Sequence, residues 1–278
     1  MILVTGANGN LGSATLATLR ARGVDAMGGS RTPGEGMRRL DFDDRLSLDL
    51  AGVSTLVLIS AGYAEDDRVV GRHAAILDAA VRNGVRHLVY TSLTTAGDHL
   101  GFALAHRATE RLVRAGGLPW TILRNGLYAE LFGGLLMWSG DGDGVESAFG
   151  EGALAAVARE DLADAAAIVA ANPAGHRGRV YDLVGTPITA GQVAGRLGVP
   201  HRTIGLGEYR HRLLHRTPGL LPFQPPMLAS IATGIRHGFL DGTAPDLTGL
   251  LGRPARDPLA TAAAAASATR PEAGVQQR

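Results

Sequence analysis

A glycine-rich segment near the start of the chain has the residue types and spacing of a phosphate-binding loop. It reads Thr5-Gly6-Ala7-Asn8-Gly9-Asn10-Leu11-Gly12, after an apolar run at 2–5 and before a helical pattern at 11–22. In this context the glycines permit a tight turn, close approach to a pyrophosphate and close helix packing, and the helix N-terminus favours phosphate. A glycine turn without a ligand is the alternative. We predict a dinucleotide site formed by Gly6, Asn8, Gly9, Asn10 and Leu11.

The residues after the second predicted strand, at 24–27, distinguish NAD from NADP. Folds that prefer NAD usually place a carboxylate there, about 20 residues past the loop, to bind the ribose 2′-hydroxyl. This chain has Gly28-Gly29-Ser30-Arg31-Thr32 instead. The guanidinium of Arg31 can pair with a 2′-phosphate, assisted by the hydroxyls of Ser30 and Thr32. We therefore predict NADPH as the cofactor, although an exposed loop arginine without this role would look the same.

A parallel sheet is needed to position the loop and the arginine. Short apolar runs alternate with helical patterns through about residue 125, which is typical of repeated βαβ units. Strands are predicted at 2–5, 24–27, near 39–40, 55–59, 87–91 and 120–123. Helices are predicted at 11–22, from 41–44 onward, 65–83 and 100–114. The pattern predicts an α/β fold with a Rossmann-type doubly wound parallel sheet over residues 1–126.

After residue 126 the alternation of strands and helices is lost. Helices are predicted at 127–138, 161–171, 190–196, 207–214 and 227–237, and a strand at 180–183. These segments predict a smaller, mostly helical C-terminal cap region over residues 127–258, with late strands joining the sheet. The alanine-rich and then polar end, residues 259–278, is expected to be a flexible tail, either a frayed helix or disordered.

Composition narrows the possible chemistry and partners. Lys and Arg together number 27 against 26 Asp and Glu, so the formal net charge of +1 makes nucleic acid an unexpected partner. The chain contains no lysine, which excludes Schiff bases and catalytic lysines. It also contains no cysteine, which excludes thiolates. No apolar run reaches the ~20 residues that span a bilayer, and no secretory pattern is present. We expect a cytoplasmic protein with no membrane partner.

Two groups of residues have some features of metal sites but lack the ligands to complete one. Four histidines fall late in the chain, at His201, His211, His215 and His237. They do not form the His-Glu-x-x-His pattern of zinc enzymes. Asp141 and Asp143 begin a calcium-like loop that has no glutamate at its twelfth position. No metal is predicted.

Several further motifs resemble those of one enzyme family. They are Val89-Tyr90-Thr91-Ser92-Leu93, the stretch from Thr121 to Glu130, and the segments 178–183 and 251–254. Together with the glycine loop they resemble the atypical, NmrA-like short-chain dehydrogenases/reductases, and most of all the bacterial NAD(P)H:quinone oxidoreductases. The resemblance extends over roughly residues 1–255. It implies hydride transfer from a nicotinamide to a substrate held between the sheet edge and the cap.

The resemblance also implies which residues contact the cofactor at the carboxyl ends of the strands. The implied positions are Asp41 and Phe42 at the adenine, Ser60 and Ala61 along the path to the nicotinamide, Thr91, Ser92 and Leu93 facing the nicotinamide, and Asn125 and Gly126 at its far side.

The chain departs from the family at its catalytic dyad. Ordinary members carry a tyrosine four residues before a lysine, and the tyrosine donates the proton. Alignment on Glu110 puts Phe102 at the tyrosine position and His106 at the lysine position. Phe102 cannot supply a proton, whereas His106 could bind the nicotinamide ribose or act as an acid near neutral pH; a helix histidine without a chemical role is the alternative. Ser92 and His106 are therefore the predicted catalytic residues.

Loss of the dyad limits the reaction that this site can perform. A quinone needs a positioned hydride more than a strong proton donor, because its ring stabilises the phenolate that forms. A ketone beside a phenol in a polycyclic aromatic has a similar advantage. We predict an NADPH-dependent reductase of quinones or of angucyclinone-type aromatic polyketide ketones. The alternative is a protein that senses NADP(H) without catalysis, while chemistry of the isoflavone-reductase type is disfavoured because it uses a lysine.

The predicted partner is therefore a small aromatic molecule, and the sequence does not indicate an oligomeric state. Aromatic residues make up only 5% of the chain, and several follow predicted strands at the edge where ligands bind. Ordinary core packing is the alternative for each. The predicted substrate-contacting residues are Tyr63, Leu93, Phe102, Tyr128 and Phe132.

Overall fold

The computed structural model describes residues 1–61, 64–140, 142–215, 217 and 219–271. Its strands are β1 Ile2–Thr5, β2 Ala26–Ser30, β3 Met37–Arg39, β4 Thr55–Leu58, β5 His87–Leu93, β6 Trp120–Asn125, β7 Met137–Trp138, β8 Val145–Ser147, β9 Ala153–Ala156, β10 Val180–Leu183, β11 Thr186–Thr189 and β12 His201–Thr203. Its α-helices are α1 Asn10–Ala21, α2 Asp66–Arg82, α3 Ala103–Ala115, α4 Ala129–Gly134, α5 Arg159–Ala171, α6 Ala190–Leu197, α7 Leu206–His215, α8 Gln224–Arg236, α9 Asp246–Leu251 and α10 Pro258–Ala268.

The main sheet has seven parallel strands in the order β3-β2-β1-β4-β5-β6-β10. Strand β4 is buried along its whole length, as expected for an apolar strand covered on both faces. Helices α1 and α5 pack together on one face, and α2 and α3 pack together on the other. The predicted Rossmann-type doubly wound α/β fold is confirmed.

The C-terminal part of the chain contains two small sheets as well as helices. Strands β9 and β11 are antiparallel, while β12, β8 and β7 form a three-stranded sheet. These strands are two to four residues long, which is too short for a hydrophobic period to be recognised in the sequence. The predicted helix at 127–138 is accordingly shorter: it ends at Gly134, and Met137–Trp138 form β7.

The first part of the segment predicted as a flexible tail, residues 259–268, lies in a packed helix. Helix α10 buries Ala262, Ala263 and Ala266 and packs against α4 and α6. A Cβ atom at Gly133 would lie 2.0 Å from the Ala262 carbonyl oxygen, so this contact requires glycine. Small residues on both helices therefore allow their backbones to touch, and the alanine-rich segment packs against the helices that precede it in the chain.

Two boundaries near the predicted cofactor residues differ from the expectation. Strand β2 covers Ala26–Ser30 rather than 24–27, so Arg31 directly follows the strand. The predicted helix from 41–44 is only a short 3₁₀ turn, Arg45–Ser47, capped by Asp44. No helix in the described part of the chain is long and apolar enough to cross a membrane.

Candidate functional site

The glycine loop joins β1 to α1 and has the backbone geometry that its spacing predicted. Gly6 has a φ of +61°, a conformation that glycine adopts without the strain of a side chain. The N–H of Gly9 donates to the Gly6 carbonyl at 2.8 Å. A Cβ atom at Gly12 would lie 2.3 Å from that same carbonyl oxygen, so only glycine lets the helix begin this close to the strand.

The N-terminus of α1 is open toward a ligand. Its N-cap is Gly9, no side chain caps the helix, and no acidic residue lies in its first turn. The first N–H groups of a helix have no partner within the helix and carry a partial positive charge. This end of α1 therefore offers donors to an anion such as a pyrophosphate.

The turn after β2 is held against the glycine loop. The side-chain amide of Asn8 donates to the carbonyl oxygen of Thr32 at 2.7 Å. Gly29 accepts the N–H of Ala7 at 3.1 Å, and a Cβ atom at Gly28 would lie 2.7 Å from that of Ala7. Arg31 is exposed between these contacts. Residue 31 thus follows β2 next to the glycine loop, the position in the fold from which an arginine can reach a 2′-phosphate.

Two threonine hydroxyls hold the chain where it leaves β4. Thr5 accepts the N–H of Ile59 at 3.0 Å, and Thr91 accepts the N–H of Ser60 at 3.1 Å. The carboxyl ends of β1, β4 and β5 are therefore joined around Ser60. The Thr91 hydroxyl contacts the protein backbone here, and it also lies 3.4 Å from the carbonyl oxygen of Leu58.

Two buried polar atoms at this edge lack a hydrogen-bond partner among the described residues. They are the hydroxyl oxygen of Ser60 and the side-chain carbonyl oxygen of Asn125. Such atoms are rare in folded proteins and costly to leave unpaired. Both belong to residues that the resemblance placed along a dinucleotide. The unpaired atoms, the N-terminus of α1 without a side-chain cap and the glycine loop together fit a bound dinucleotide.

The hydroxyl of Ser92 is already hydrogen-bonded within the protein. It is buried and donates to the carboxylate of Glu110 at 2.7 Å. Arg107 and Arg124 also bind Glu110, at 2.9 Å and 2.7 Å. Burial raises the pKa of the Glu110 carboxyl, but the hydrogen bonds from Arg124 and Ser92 outweigh burial, so this pKa lies below its ordinary value. The geometry gives no support to direct catalysis by Ser92.

His106 is neutral at physiological pH. Its Nδ1 atom lies 3.2 Å from the Tyr90 hydroxyl, and the edge of the Phe102 ring faces it at 6.3 Å between centroids. Burial, with a further contribution from Arg107, lowers the pKa of His106 to about 4. An imidazole with this pKa carries almost no positive charge near pH 7. His106 can form a hydrogen bond, but the predicted role as an acid near neutral pH is not supported.

The predicted substrate residues fall in different environments. Phe102 is partly exposed, and Leu93 is buried below Gly97. Tyr128 is partly exposed, with the Arg159 guanidinium 4.9 Å above its ring. Phe132 is fully buried against Phe149, at 5.1 Å between ring centroids, so core packing argues against its predicted contact with a substrate. Tyr63, like Asp141 of the calcium-like segment, lies outside the described residues.

Asp41 and Phe42 follow β3, as the predicted adenine contacts should. The carboxylate of Asp41 accepts the N–H of Asp43 at 3.1 Å, and Phe42 is half-buried against the core under α2. Gly126 donates its N–H to Leu183 at 2.8 Å, which fixes the backbone after Asn125. These residues thus follow the carboxyl ends of β3 and β6, with β2, β1, β4 and β5 between them in the sheet.

Sequence reasoning missed the polar groups behind this edge. Tyr90 is fully buried, and burial raises the pKa of its phenol. Glu110 was used only as an alignment point, and its hydrogen bond to Ser92 was not predicted. The one available signal was strand alternation, since residues 90 and 92 of β5 share the face that meets α3.

No group of three or more acidic or histidine side chains in the described ranges is placed to hold a metal. The rings of His211 and His215 lie 4.6 Å apart, and His201 instead contacts the Ser147 hydroxyl at 2.9 Å. An apolar groove of about 440 Å³ runs between α2 and α3 beside Val81, Leu112 and Leu118. None of the predicted site residues that the structure describes lines that groove.

The fold and this edge define a dinucleotide-binding protein of the Rossmann class. The chain belongs to the NAD(P)H-binding family, whose sequence model matches residues 6–173. It is 31% identical to quinone oxidoreductase 2 of Escherichia coli, over 91% of this chain and 94% of that protein. The family predicted from the motifs, and with it an oxidoreductase class, is therefore confirmed.

Two further relatives extend the comparison. A (4-alkanoyl-5-oxo-2,5-dihydrofuran-3-yl)methyl phosphate reductase of Streptomyces griseus is 32% identical over 92% of this chain and 94% of its own length. The crystal structure of a Citrobacter sp. triphenylmethane reductase complexed with NADP(H) superposes with a TM-score of 0.84 and 29% identity. That match covers 95% of this chain and all of the reductase.

Proposed function

We propose that this protein is an NADPH-dependent reductase of quinones or of polycyclic aromatic ketones whose reduced form is stabilised by the ring itself. The observation that carries the proposal is the side-chain chemistry at the three positions where a proton donor would act. Phe102 has no ionisable group, Ser92 donates to Glu110, and His106 is neutral because burial holds its pKa at about 4. A substrate that depends on an enzymatic acid is disfavoured at such a site.

The acceptors named for two relatives support this substrate class. Quinones, named for the Escherichia coli protein, give a ring-stabilised phenolate after hydride addition. A triarylmethyl centre, related to the name of the Citrobacter reductase, accepts hydride at carbon without a proton. Both acceptors require a correctly placed donor more than a strong acid, so orientation supplies most of the catalysis. The furanone reductase of Streptomyces griseus supports the broader class of conjugated carbonyl acceptors.

In this proposal the described residues bind and orient the dinucleotide. NADPH supplies hydride from C4 of its nicotinamide when it is bound. The N-terminus of α1 and the loop at Gly6, Gly9 and Gly12 hold the pyrophosphate, and Arg31 pairs with the 2′-phosphate. Ser60 and Asn125 hydrogen-bond the dinucleotide with their unpaired oxygens, and His106 offers a neutral hydrogen bond beside the acceptor.

The test is oxidation of NADPH and of NADH, followed by the nicotinamide absorbance, against a panel of quinones and phenolic polycyclic ketones. We expect turnover with NADPH preferred and hydroquinone or alcohol products identified by mass. Arg31→Ala should lower kcat/KM for NADPH roughly tenfold to a hundredfold and change the value for NADH by less than about twofold. Arg86→Ala, on an exposed arginine before β5 at the opposite edge, is the matched control and should change neither.

Each of the other outcomes points away from the proposal. Binding of NADPH without turnover of any panel member would favour the rival function, a sensor of NADP(H) that regulates a partner. Equal loss with NADPH and NADH in Arg31→Ala would contradict the assignment of the 2′-phosphate contact.

A further inference from the structure

A fully buried histidine lies directly behind the segment that leaves β4. His73 is on α2, and its Nε2 atom accepts the backbone N–H of Ala61 at 2.9 Å. Its other ring nitrogen, Nδ1, lies 2.8 Å from the hydroxyl oxygen of Thr109 on α3. One side chain thus connects two helices to the backbone at Ser60 and Ala61.

The hydrogen bonds around His73 fix its protonation. The Thr109 hydroxyl donates to the carbonyl oxygen of Ala105 at 2.8 Å, so it must accept from Nδ1 of His73. Because the N–H of Ala61 occupies Nε2, that nitrogen must be an acceptor. His73 is therefore the neutral tautomer with its proton on Nδ1. A second proton would place two donors against each other at Ala61.

The groups that face His73 also favour this neutral form. Burial lowers the pKa of His73 to about 3, and the positive charges of His106, when protonated, and of Arg72 oppose its protonation. The Tyr90 ring meets the imidazole edge-on at 5.6 Å between centroids. Arg72 itself is paired with Asp43 at 2.6 Å. The tautomer is consequently stable across the physiological pH range.

We propose that His73, supported by Thr109, is a positioning residue that holds the backbone of Ser60 and Ala61 in the conformation that receives the dinucleotide. The inference rests on the proposed cofactor site, because Ser60 and Ala61 are assigned to that site. A buried acceptor is needed at this point since the Ala61 N–H would otherwise lose its partner and the segment its fixed position. Preorganisation of this kind strengthens binding by reducing the cost of ordering the site.

The chain contains a matched control for this role. His87, at the start of β5, is also buried, and its Nε2 atom lies 2.9 Å from a threonine hydroxyl, that of Thr121. Burial lowers the pKa of His87 to about 4. It lies at the amino edge of the parallel sheet, on the side opposite the glycine loop. His73→Leu and His87→Leu therefore remove the same chemistry from the two edges.

The experiment measures NADPH binding by fluorescence titration, with urea unfolding to establish that each variant is folded. His73→Leu should raise the Kd for NADPH about tenfold. His73→Gln can return an acceptor to the Ala61 N–H and should bind within about threefold of the parent protein. His87→Leu should leave the Kd unchanged. Weak binding by His73→Leu together with near-normal binding by His73→Gln is a pattern that a loss of packing alone would not produce.

Two results would overturn the inference. One is parent-like binding by His73→Leu, and the other is equal weakening in His73→Leu and His87→Leu. Failure of the parent protein itself to bind NADPH would instead refute the proposed cofactor site, and the positioning role with it. Binding is measured rather than turnover so that these failures are distinguishable from an incorrect choice of substrate.

Discussion

The two edges of the parallel sheet differ in how completely their buried polar groups are paired. At the amino edge, the hydroxyl of Thr121 contacts His87 at 2.9 Å and donates to the carbonyl oxygen of His176 at 2.8 Å. Nδ1 of His176 lies 2.8 Å from the hydroxyl of Tyr181. At the carboxyl edge, Ser60 and Asn125 each carry a buried oxygen without a partner in the described residues.

The pairing of buried polar groups distinguishes the ligand-binding edge from the other edge. A buried histidine bonded to a threonine, with a lowered pKa, occurs at both edges and so does not identify a site. Unpaired buried oxygens and an uncapped helix N-terminus mark the carboxyl edge, where ligands bind in open α/β folds. At the amino edge the side chains of His87, Thr121 and His176 are hydrogen-bonded within the protein. At the carboxyl edge the unpaired oxygens can still form hydrogen bonds to a ligand.

The largest effect should come from adding one methyl group to the glycine loop. In Gly12→Ala the new Cβ would lie 2.3 Å from the Gly6 carbonyl oxygen, so the loop or the helix must move. We expect NADPH affinity to fall more than about a hundredfold, because pyrophosphate binding depends on this close approach. Isothermal titration measures the change.

Gly84→Ala is the control for that prediction at the amino edge. Gly84 has a φ of +67° and open space around its Cα atom. The substitution should lower the free energy of unfolding by about 1 kcal/mol through backbone strain and leave NADPH affinity unaltered. Parent-like affinity in Gly12→Ala would remove the basis for assigning this loop to the phosphates.

A smaller effect is expected from removing one of the unpaired oxygens. Asn125→Ala should weaken NADPH binding about tenfold, since the buried carbonyl oxygen has no partner among the described residues and can accept a hydrogen bond from the ligand. Asn83→Ala is the comparison, because Asn83 already donates to the Ala79 carbonyl at 2.9 Å at the end of α2. Similar NADPH affinities for these two variants would erase the contrast between the edges.

The change with the least expected effect on NADPH affinity acts on folding stability, and both edges should share it. His73 and His87 have folded-state pKa values of about 3 and about 4, below the ordinary 6.5, so acid protonates the unfolded chain first. The contribution of these two neutral histidines to the free energy of unfolding is therefore fully present above about pH 6.5. It decreases as the pH drops toward about 4. Each buried histidine adds about 1.4 kcal/mol per pH unit to this slope.

Urea unfolding of the parent protein, His73→Leu and His87→Leu across this pH range measures the shared effect. Each leucine variant should show a shallower decline in the free energy of unfolding than the parent protein. An unchanged decline in either variant would mean that the histidine it replaces is not neutral in the folded state.

The sequence predicted features that depend on local spacing and missed those that depend on distant contacts. The glycine loop and β10 were recognised because a turn and an apolar run are local patterns. Strand β2 was placed too early because Gly28 and Gly29 have low strand propensity. They occur there because a Cβ atom at either would collide with Ala7 or Leu40, contacts that appear only in the folded chain.

The candidate site shows the same division. Arg31 follows a strand end and could be assigned from its position. The orientation of Ser92 could not, because it depends on Glu110, 18 residues further along and on another element. The protonation of His73 depends on Thr109, 36 residues away. Neither pairing leaves a periodic signal in the sequence.

The central claim is that this protein positions NADPH for hydride transfer and supplies no acid from Ser92, Phe102 or His106. The most direct test is the pH dependence of the rate of hydride transfer in a single turnover, with the NADPH complex mixed with 1,4-benzoquinone. We expect a rate constant that does not change between about pH 6 and 8.5, because burial holds the pKa of His106 at about 4. A rate that rises toward acid with a midpoint near 6.5, and loses that rise in His106→Phe, would contradict it.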